Sequence, residues 1–391
     1  MSSIIDTVIA HHREHFPQST DCALFASPGR INIIGEHIDY NGGTVLPAAI
    51  DKHIYICVSR NDDGIIRFVS ANHKKTGEVA INNLHSPQTR THAAHTWWVY
   101  PYGACALSNI ELDYGLDFSF YSTLPVGAGM SSSASITVGT LYALYSLYNK
   151  KIKNSDLALK AQKVEWDYAG VHCGIMDQMA IINGKKDHAI SLNTQNLEYT
   201  HIPVDTAAVQ FVLVNSGIKH SLRESAYNDR RRDCERALLI LKKNGYSINH
   251  LCDCSIDDLS AIQEILPPTE YKRVYHVISE HNRVLQFASE IQRYNLTRAG
   301  EFLYKSHDSL STYYEVSLPL IDQMVEWASQ IDGVYGSRLM GGGFGGCTIS
   351  MVALYAVEHF TETIAQKFKK KENRTPEIYQ CSLEDGTHRI E

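Results

Sequence analysis

The sequence predicts an α+β protein built from two domains. Runs of β-branched residues, typical of strands, are mixed along the 391 residues with the apolar stripes of helices. The mixing shows no strict βαβ alternation, which favours α+β layers over a doubly wound parallel sheet. A chain of this length, with 44% apolar residues, can bury more than one core. We predict an N-terminal domain over residues 1–205 and a C-terminal domain over residues 206–391, divided after the acidic turn at 204–205.

Strands and helices are predicted in both halves. Continuous or alternating apolar runs predict strands at 54–58, 65–69, 209–214 and 348–352. Apolar residues at spacings of three and four predict helices over 136–148, 157–168, 226–243, 271–293 and 320–331. Breaks are expected at Pro267-Pro268 and at Gly333.

A short amphipathic helix is predicted at the N-terminus. Ile4, Ile5, Val8 and Ile9 form its apolar stripe. That stripe places the histidines of the neighbouring segment at 11–15 on or near the polar side of the helix. We expect them to be ordinary surface histidines rather than metal ligands.

Composition restricts the classes of partner. The net charge of −7 leaves no surplus of Lys and Arg to neutralise phosphates, so nucleic acid is not expected as a partner. Apolar runs such as 349–357 are far shorter than the roughly 20 residues of a membrane span. No secretory signal is visible, and the nine cysteines show no regular framework, so we expect reduced thiols and a cytoplasmic protein. We expect a monomer that binds small molecules.

A Gly/Ser segment at 124–135 runs directly into the predicted helix at 136–148. Gly127 and Gly129 allow a tight turn close to an anion, and the unpaired amides of a helix N-terminus favour negative charge. Ser131, Ser132 and Ser133 add hydroxyl donors. The segment matches neither the Walker loop nor the dinucleotide fingerprint. It predicts a phosphate-binding loop, and a serine-rich cap on an ordinary helix is the alternative.

A second polar segment, at 28–43, contains Arg30, Glu36, His37 and Asp39 between glycines. Acidic acceptors, an imidazole and exposed amides match the alternating donors and acceptors of a sugar. The alternative is a surface turn with solvated charges. The isoleucines among residues 31–34 argue against that alternative, because they predict a partly buried segment.

Two further segments are rich in glycine. The first, at 165–178, carries Glu165 near the end of a predicted helix and Asp177 at the start of another, with Gly174 between them. The two carboxylates suit a metal and a substrate hydroxyl, although Asp177 can also be read as an ordinary helix-start aspartate. The second, at 337–348, offers no side-chain chemistry, so we expect its backbone to pack against a ligand or another loop.

These four motifs resemble, in order, those of the galactokinases within the GHMP kinase superfamily. The resemblance spans residues 25–348 and includes Cys-Gly-Ile-Met-Asp-Gln and Gly-Gly-Gly-Phe-Gly-Gly. It implies transfer of the ATP γ-phosphoryl group to the anomeric hydroxyl of galactose. It also implies an N-terminal domain of the ribosomal-S5 type, a ferredoxin-like C-terminal domain and an active site between them.

The resemblance also implies a role for individual residues. Arg30 and Asp177 match the catalytic pair, and Ser133 and Glu165 match the ligands of Mg²⁺. The positions that line the sugar are Glu36, His37, Asp39, Gly174 and Tyr227. The positions that bind the nucleotide are Gly127, Ala128, Gly129, Met130, Ser131 and Ser132, with Trp97 near the adenine. One departure is Ile38, where galactokinases usually have threonine, and it bears on the choice of sugar.

Three questions stay open at this point. A related GHMP kinase acting on N-acetylgalactosamine, galacturonate or arabinose is the first alternative to a galactokinase. A sugar-responsive regulator that keeps the fold without turnover is the second. The sequence also leaves open whether Asp177 acts as a full general base or mainly orients the sugar hydroxyl.

Overall fold

Two β-sheets organise the chain in the computed structural model, which describes residues 2–19, 21–125, 127–218 and 223–390. The strands are β1 Ala23–Ile34, β2 Thr44–Asn61, β3 Ile65–Ser70, β4 His73–Ala80, β5 Gly115–Ser122, β6 His188–Asn193, β7 Tyr199–Pro203, β8 Val209–Asn215, β9 Val334–Met340, β10 Cys347–Ala353, β11 Glu377–Cys381 and β12 His388–Ile390. The helices are α1 Ser2–His15, α2 Pro87–Ala93, α3 Val99–Leu107, α4 Ser132–Leu147, α5 Asn154–Val164, α6 Met176–Asn183, α7 Arg223–Lys243, α8 Leu259–Ile265, α9 Pro268–Gln292, α10 Leu296–Thr312, α11 Pro319–Ser329 and α12 Val357–Glu372.

The first sheet has the order β12-β1-β2-β5-β3-β4, and β6 joins it through β2 and carries β7. The pair β3–β5 is parallel, and the other pairs are antiparallel. The long strand β2 serves both parts of the sheet, because it pairs with β6 at Thr44 and with β5 from Ile54 onward. Helices α4 and α6 pack on β1 and β2, so the loops at their N-termini lie beside the segment that follows β1.

The second sheet is antiparallel in the order β11-β8-β10-β9. Helices α10 and α11 pack against β9, and α11 and α12 contact β10. Helix α9 packs on α7 and α10 but also reaches β1, β2 and β7 of the first sheet. This helix therefore connects the two halves of the molecule next to the segment that follows β1.

The predicted α+β class is confirmed. The predicted strands fall within β2, β3, β8 and β10. Four of the predicted helices correspond to α4, α7, α9 and α11, although those over 136–148, 271–293 and 320–331 extend one or two residues past the observed ends. The helix predicted over 157–168 differs, because α5 ends at Val164 and a π-helical turn covers Glu165–Ala169. Strands before and after residue 205 enter different sheets, except that β12 returns to pair with β1. The domain boundary at 205 stays a prediction.

The expectation for the N-terminal histidines is wrong for His12. This side chain is fully buried, with Nδ1 2.9 Å from Ser119 Oγ and Nε2 2.9 Å from Ser59 Oγ. Position 12 follows the buried Val8 by four residues and so continues the apolar stripe of α1, which packs on β2 and β5. Burial lowers the pKa of His12 to about 4, so the imidazole is neutral near pH 7.

Two expectations from composition can be compared with the structure. All nine cysteines are free thiols. Among the helices in the described part of the chain, none is long and apolar enough to cross a bilayer.

Candidate active site

The phosphate loop, defined here as residues 127–133, turns sharply into the N-terminus of α4. Gly127 and Gly129 have φ angles of 79° and 71°, in the left-handed region that glycine adopts without strain. A Cβ on either glycine would meet no atom within 4 Å, so the space in front of the loop is open. The loop is anchored from behind by the buried side chains of Ala128 and Met130. Its open side is where the free amides at the start of α4 can receive an anion.

Arg30 and Asp177 form a two-point ion pair beside this loop. Arg30 Nε lies 2.8 Å from Asp177 Oδ1, and Arg30 Nη2 lies 2.8 Å from Oδ2. Arg30 Nη1 also donates to the carbonyl of Gly129 at 2.6 Å, and the Ser131 hydroxyl donates to Asp177 Oδ2. Both side chains of the ion pair are largely buried, which strengthens it. The pair therefore joins strand β1, helix α6 and the phosphate loop at one point.

Glu165 begins the π-helical turn after α5 and faces the phosphate loop. Ser133 Oγ donates to Glu165 Oε2 at 3.1 Å, and Gln178 Nε2 donates to Oε1 at 2.7 Å. Burial, followed by the negative charge of Asp177, raises the pKa of Glu165 to about 7. A π-helical turn at such a point is typical of functional sites, because the extra residue redirects a side chain.

Asp39 and Gly174 are in close contact near the ion pair of Arg30 and Asp177. A Cβ on Gly174 would lie 1.7 Å from Asp39 Oδ2, so only glycine leaves room for this carboxylate. Burial, followed by the charge of Asp177, raises the pKa of Asp39 to about 7. Asp39, Glu165 and Asp177 therefore form an acidic group around one guanidinium.

An aromatic wall adjoins Asp39. His37 Nδ1 lies 2.8 Å from the Tyr40 hydroxyl, which lies 2.8 Å from the hydroxyl of Tyr314. The rings of His37 and Tyr227 stand 5.4 Å apart, and those of Tyr40 and Tyr227 stand 5.8 Å apart. Burial, followed by the charge of Arg230, lowers the pKa of His37 to about 3, so its imidazole is neutral.

Glu36 points toward the glycine run of the second half. Its Oε1 accepts from the Gly341 amide at 2.7 Å and from Arg338 Nη2 at 3.3 Å. Backbone packing of this run against another loop was expected, and it is found. The expectation that the run carries no side-chain chemistry is wrong, because the fully buried Arg338 also donates to the carbonyls of Asn32 and Ile33 at 2.5 and 2.7 Å.

Trp97 lies apart from this hydrogen-bonded centre. Its ring stacks on His73 with centroids 5.8 Å apart and meets Phe120 edge to face at 5.6 Å. Its Nε1 donates to the carbonyl of Lys75 at 2.5 Å. The side chain is half-buried near β5, the strand that leads toward the phosphate loop. Contact with adenine stays a prediction.

Reasoning from the sequence missed several residues that hold the site. Gln178 orients Glu165, and it follows Asp177 directly in the motif, so its place in the chain was a signal. Arg338 stands at the start of the glycine run, so its position in the sequence was also a signal. Tyr314 gave no signal, because it reaches the site from a distant part of the chain.

Models of known protein families match three parts of this chain. Residues 10–60 match the model of the galactokinase galactose-binding signature. Residues 100–185 match the N-terminal domain of the GHMP kinases, and residues 287–370 match their C-terminal domain. The galactose-binding signature contains the segment at 28–43, and the N-terminal domain contains the phosphate loop, Glu165 and Asp177.

Relatives that match over nearly the whole of both chains are galactokinases. A galactokinase of Fusobacterium nucleatum is 34% identical over 99% of this chain and 100% of its own length, and one of Bacillus subtilis is 35% identical over 96% of each. The crystal structure of Lactococcus lactis galactokinase complexed with galactose has a TM-score of 0.93 and 30% identity, covering 99% of this chain and 100% of that one. Methanococcus jannaschii mevalonate kinase, with a TM-score of 0.67 and 20% identity over 94% and 99% of the two chains, shares the fold. This chain belongs to the galactokinase family of the GHMP kinases.

Proposed function

We propose that this sugar kinase transfers the γ-phosphoryl group of ATP to the anomeric hydroxyl of galactose. The observation that carries the proposal is the contact of Arg30 and Ser131 with Asp177, because it joins the sugar segment to the phosphate loop. A nucleophile held by Asp177 would lie next to an anion held by the loop. Phosphoryl transfer depends mainly on such positioning and on neutralisation of charge.

The residues around Asp177 are suited to a galactose molecule. Asp39 and the neutral His37 supply a strong acceptor and an imidazole, and Tyr227 closes the aromatic side of the space. Gly174 leaves room for Asp39. Since Oε1 of Glu36 is held by Gly341 and Arg338, its Oε2 is the oxygen we assign to a sugar hydroxyl.

The phosphates of ATP are assigned to the open side of the phosphate loop. We assign the amides from Gly127 to Ser132 to these phosphates, because the space beside Gly127 and Gly129 is open and the dipole of α4 favours negative charge there. Trp97 is assigned to the adenine because it lies half-buried beside the strand that leads into the loop.

Ser133 and Glu165 are suited to hold Mg²⁺. Both offer oxygen atoms, which this ion prefers, and they lie 3.1 Å apart at the phosphate loop. Burial and the charge of Asp177 raise the pKa of Glu165, and a bound cation would favour its charged form. When bound, the metal neutralises charge on the phosphate oxygens.

In the reaction the anomeric oxygen forms a bond to the γ-phosphorus, the bond from that phosphorus to the β,γ-bridging oxygen breaks, and ADP leaves. The hydroxyl proton passes to Asp177. The two contacts with Arg30 and the one with Ser131 fix the orientation of the carboxylate. We therefore propose that Asp177 mainly orients the hydroxyl and accepts its proton after bond formation to phosphorus has begun.

A panel of sugars tests the proposal. ADP release is measured with galactose, N-acetylgalactosamine, galacturonate and arabinose, and with no sugar as the blank. Galactose should give the highest kcat/KM, and galacturonate should react poorly, because Asp39 and Glu36 would repel its carboxylate. Faster turnover of another sugar would reassign the substrate. If no sugar is turned over although the protein binds galactose, the result would support the alternative of a sugar-responsive regulator without kinase activity.

A cytoplasmic, monomeric enzyme is part of the same proposal. ATP is available in the cytoplasm, and nine free thiols suit its reducing conditions. Light scattering of the purified protein would test the monomer.

A further inference from the structure

Helix α9 holds the backbone of the sugar segment from the other half of the molecule. Glu280 Oε1 accepts from the amide of Gly35 at 3.0 Å. One turn earlier in the helix, His276 Nε2 lies 3.1 Å from the carbonyl of Glu36. Both groups are fully buried. The amide of Gly35 and the carbonyl of Glu36, which belong to the peptide groups 34–35 and 36–37, are therefore held by side chains remote in sequence.

Glu280 is a buried carboxylate with every contact directed inward. Oε1 also accepts from the Ser306 hydroxyl at 2.6 Å, and Oε2 accepts from Arg283 Nε at 2.7 Å. Burial by itself raises the pKa of Glu280, but the positive charges around it, Arg283 first, outweigh burial and hold the pKa at about 2. The carboxylate is therefore charged near neutral pH.

The contact with Gly35 depends on the lack of a side chain at this position. Gly35 has a φ of 110°, and a Cβ there would lie 3.1 Å from a methyl group of Val284 and 3.2 Å from the Cα of Val45. Gly35 is thus wedged between α9 and β2. A small displacement of α9 would be passed to the next residues of the chain, which include Glu36, His37 and Asp39.

We propose that Glu280 is a positioning residue for the sugar: through the Gly35 amide it fixes the direction in which Glu36, His37 and Asp39 face galactose. The inference rests on the proposed function, because those three side chains are sugar contacts only if galactose binds there. Glu280 does not touch the sugar. It acts through the backbone of the loop, and within the described residues no hydrogen bond connects it to the phosphate loop.

The test compares Glu280→Ala and Glu280→Gln with a control, Asp117→Asn. Glutamine can keep an oxygen toward Gly35 while losing the contact with Arg283, whereas alanine loses both. Asp117 is also buried, with contacts to Arg67 and Asn61, but it lies on β5 opposite Ser59, near the end of β2 that is far from the sugar segment. Asp117→Asn therefore shows the effect of losing a buried ionic contact that is remote from the sugar segment.

Steady-state kinetics give the first readout. Glu280→Ala should raise the KM for galactose about 10- to 100-fold, with the KM for ATP changed less than about twofold, because misplacement of roughly 1 Å has effects of this size. Glu280→Gln should lie between the alanine variant and the wild type. Asp117→Asn should lower the Tm and leave both KM values unchanged. Equal changes in the two KM values, or none in a folded Glu280 variant, would overturn the proposal.

Hydrogen exchange gives a readout that needs no turnover. Peptides covering residues 33–40 should exchange faster in Glu280→Gln than in the wild type, and peptides covering 127–133 should not. Unchanged exchange at 33–40 would contradict the inference even if the alanine variant fails to fold. Galactose binding, measured by calorimetry, distinguishes failure of the proposed function from failure of the role of Glu280. If the wild type does not bind galactose, the proposed substrate is wrong. If the wild type and the Glu280 variants bind galactose equally well, only the role of Glu280 is wrong.

Discussion

The sugar segment and the phosphate loop are both rich in glycine, yet they are built in opposite ways. Gly35 is wedged between α9 and β2, and side chains from the second half hold the backbone on either side of Glu36. Gly127 and Gly129 instead face open space and need glycine only for their φ angles. The sugar segment is thus shaped before a ligand arrives. The phosphate loop presents its amides to whatever anion enters.

The difference suits the two ligands. Sugars that differ in one hydroxyl are told apart only by donors and acceptors held in fixed positions. A phosphate chain is the same in every ATP molecule, and backbone amides recognise it without side-chain specificity. Arg30, Asp177 and Ser131 form the junction between the two regions, so the largest effects are expected there.

Asp177→Asn should break the junction and give the largest loss. The amide keeps the size of the side chain but loses its charge, its ability to accept the hydroxyl proton and one of its two contacts with Arg30. Loss of general-base catalysis lowers turnover by about 10² to 10⁴-fold. Galactose binding should survive in part. Asp167→Asn is the control, because Asp167 is on the π-helical turn and pairs with the exposed Lys163. Near wild-type turnover in Asp177→Asn would show that Asp177 is only a helix-start residue without a catalytic role.

Glu165→Gln tests the side of the junction that faces the phosphate loop. It should raise the Mg²⁺ concentration needed for half-maximal rate and lower kcat, while the KM for galactose changes little. In the wild type, protons compete with Mg²⁺ for Glu165, so apparent Mg²⁺ affinity should rise with pH up to about 7 and then level off. Rates that do not change in a magnesium titration would contradict the assignment.

The same carboxylate links stability to pH. Its pKa is raised from 4.5 to about 7 in the folded protein, so the protonated form contributes stability that is fully present below pH 4.5 and is lost as the pH rises to about 7. Without Mg²⁺, Glu165→Gln should therefore be more stable than the wild type at pH 8, by on the order of 1–3 kcal/mol, and should match it near pH 4. Urea unfolding at both pH values measures the difference. If Glu165→Gln is less stable than the wild type at pH 8, the result would contradict the raised pKa of Glu165.

Gly174→Ala and Gly129→Ala separate the two kinds of glycine. The new Cβ at Gly174 would overlap Asp39 Oδ2, so Asp39 must move and the KM for galactose should rise about tenfold or more. The new Cβ at Gly129 meets no atom but forces a left-handed φ on alanine, which costs about 1–2 kcal/mol and should raise the KM for ATP instead. Kinetics with each substrate varied in turn check both. A rise in the same KM for both variants would show that the contrast between the two loops is wrong.

Local pattern was enough to predict much of this. The strands in β2, β3, β8 and β10 follow from apolar periodicity, and the phosphate loop follows from glycines and serines before a helical stripe. Glycine spacing also indicated that Glu165 and Asp177 belong together. These features are set by neighbours in sequence, so the sequence shows them directly.

What could not be predicted depends on contacts between distant segments. Glu280 lies in a predicted helix and Arg338 in the glycine-rich segment at 337–348, and neither pattern predicts that both side chains are fully buried against the sugar segment. The return of β12 to β1 depends on pairing across almost the whole chain. His12 was misplaced because the prediction ended the apolar stripe at residue 9, whereas packing on β2 and β5 extends it.

Ile38→Thr is expected to have the smallest effect on catalysis. Ile38 is fully buried within the sugar segment, and a Cβ on Gly43 would lie 2.8 to 2.9 Å from its side-chain atoms, so the side chain is packed against Gly43. A hydroxyl without a partner there should cost about 1–3 kcal/mol of stability. Ile38→Val is the control, since it loses a methyl group without adding a polar atom, at about 0.5–1.5 kcal/mol. The ratio of kcat/KM for galactose to that for N-acetylgalactosamine or 2-deoxygalactose should stay within about twofold of the wild type in both variants, because a buried side chain that packs on Gly43 changes stability rather than the contacts of the sugar. A reversal of sugar preference in Ile38→Thr alone would show that this position, and not only the residues held by α9, sets the shape of the sugar site.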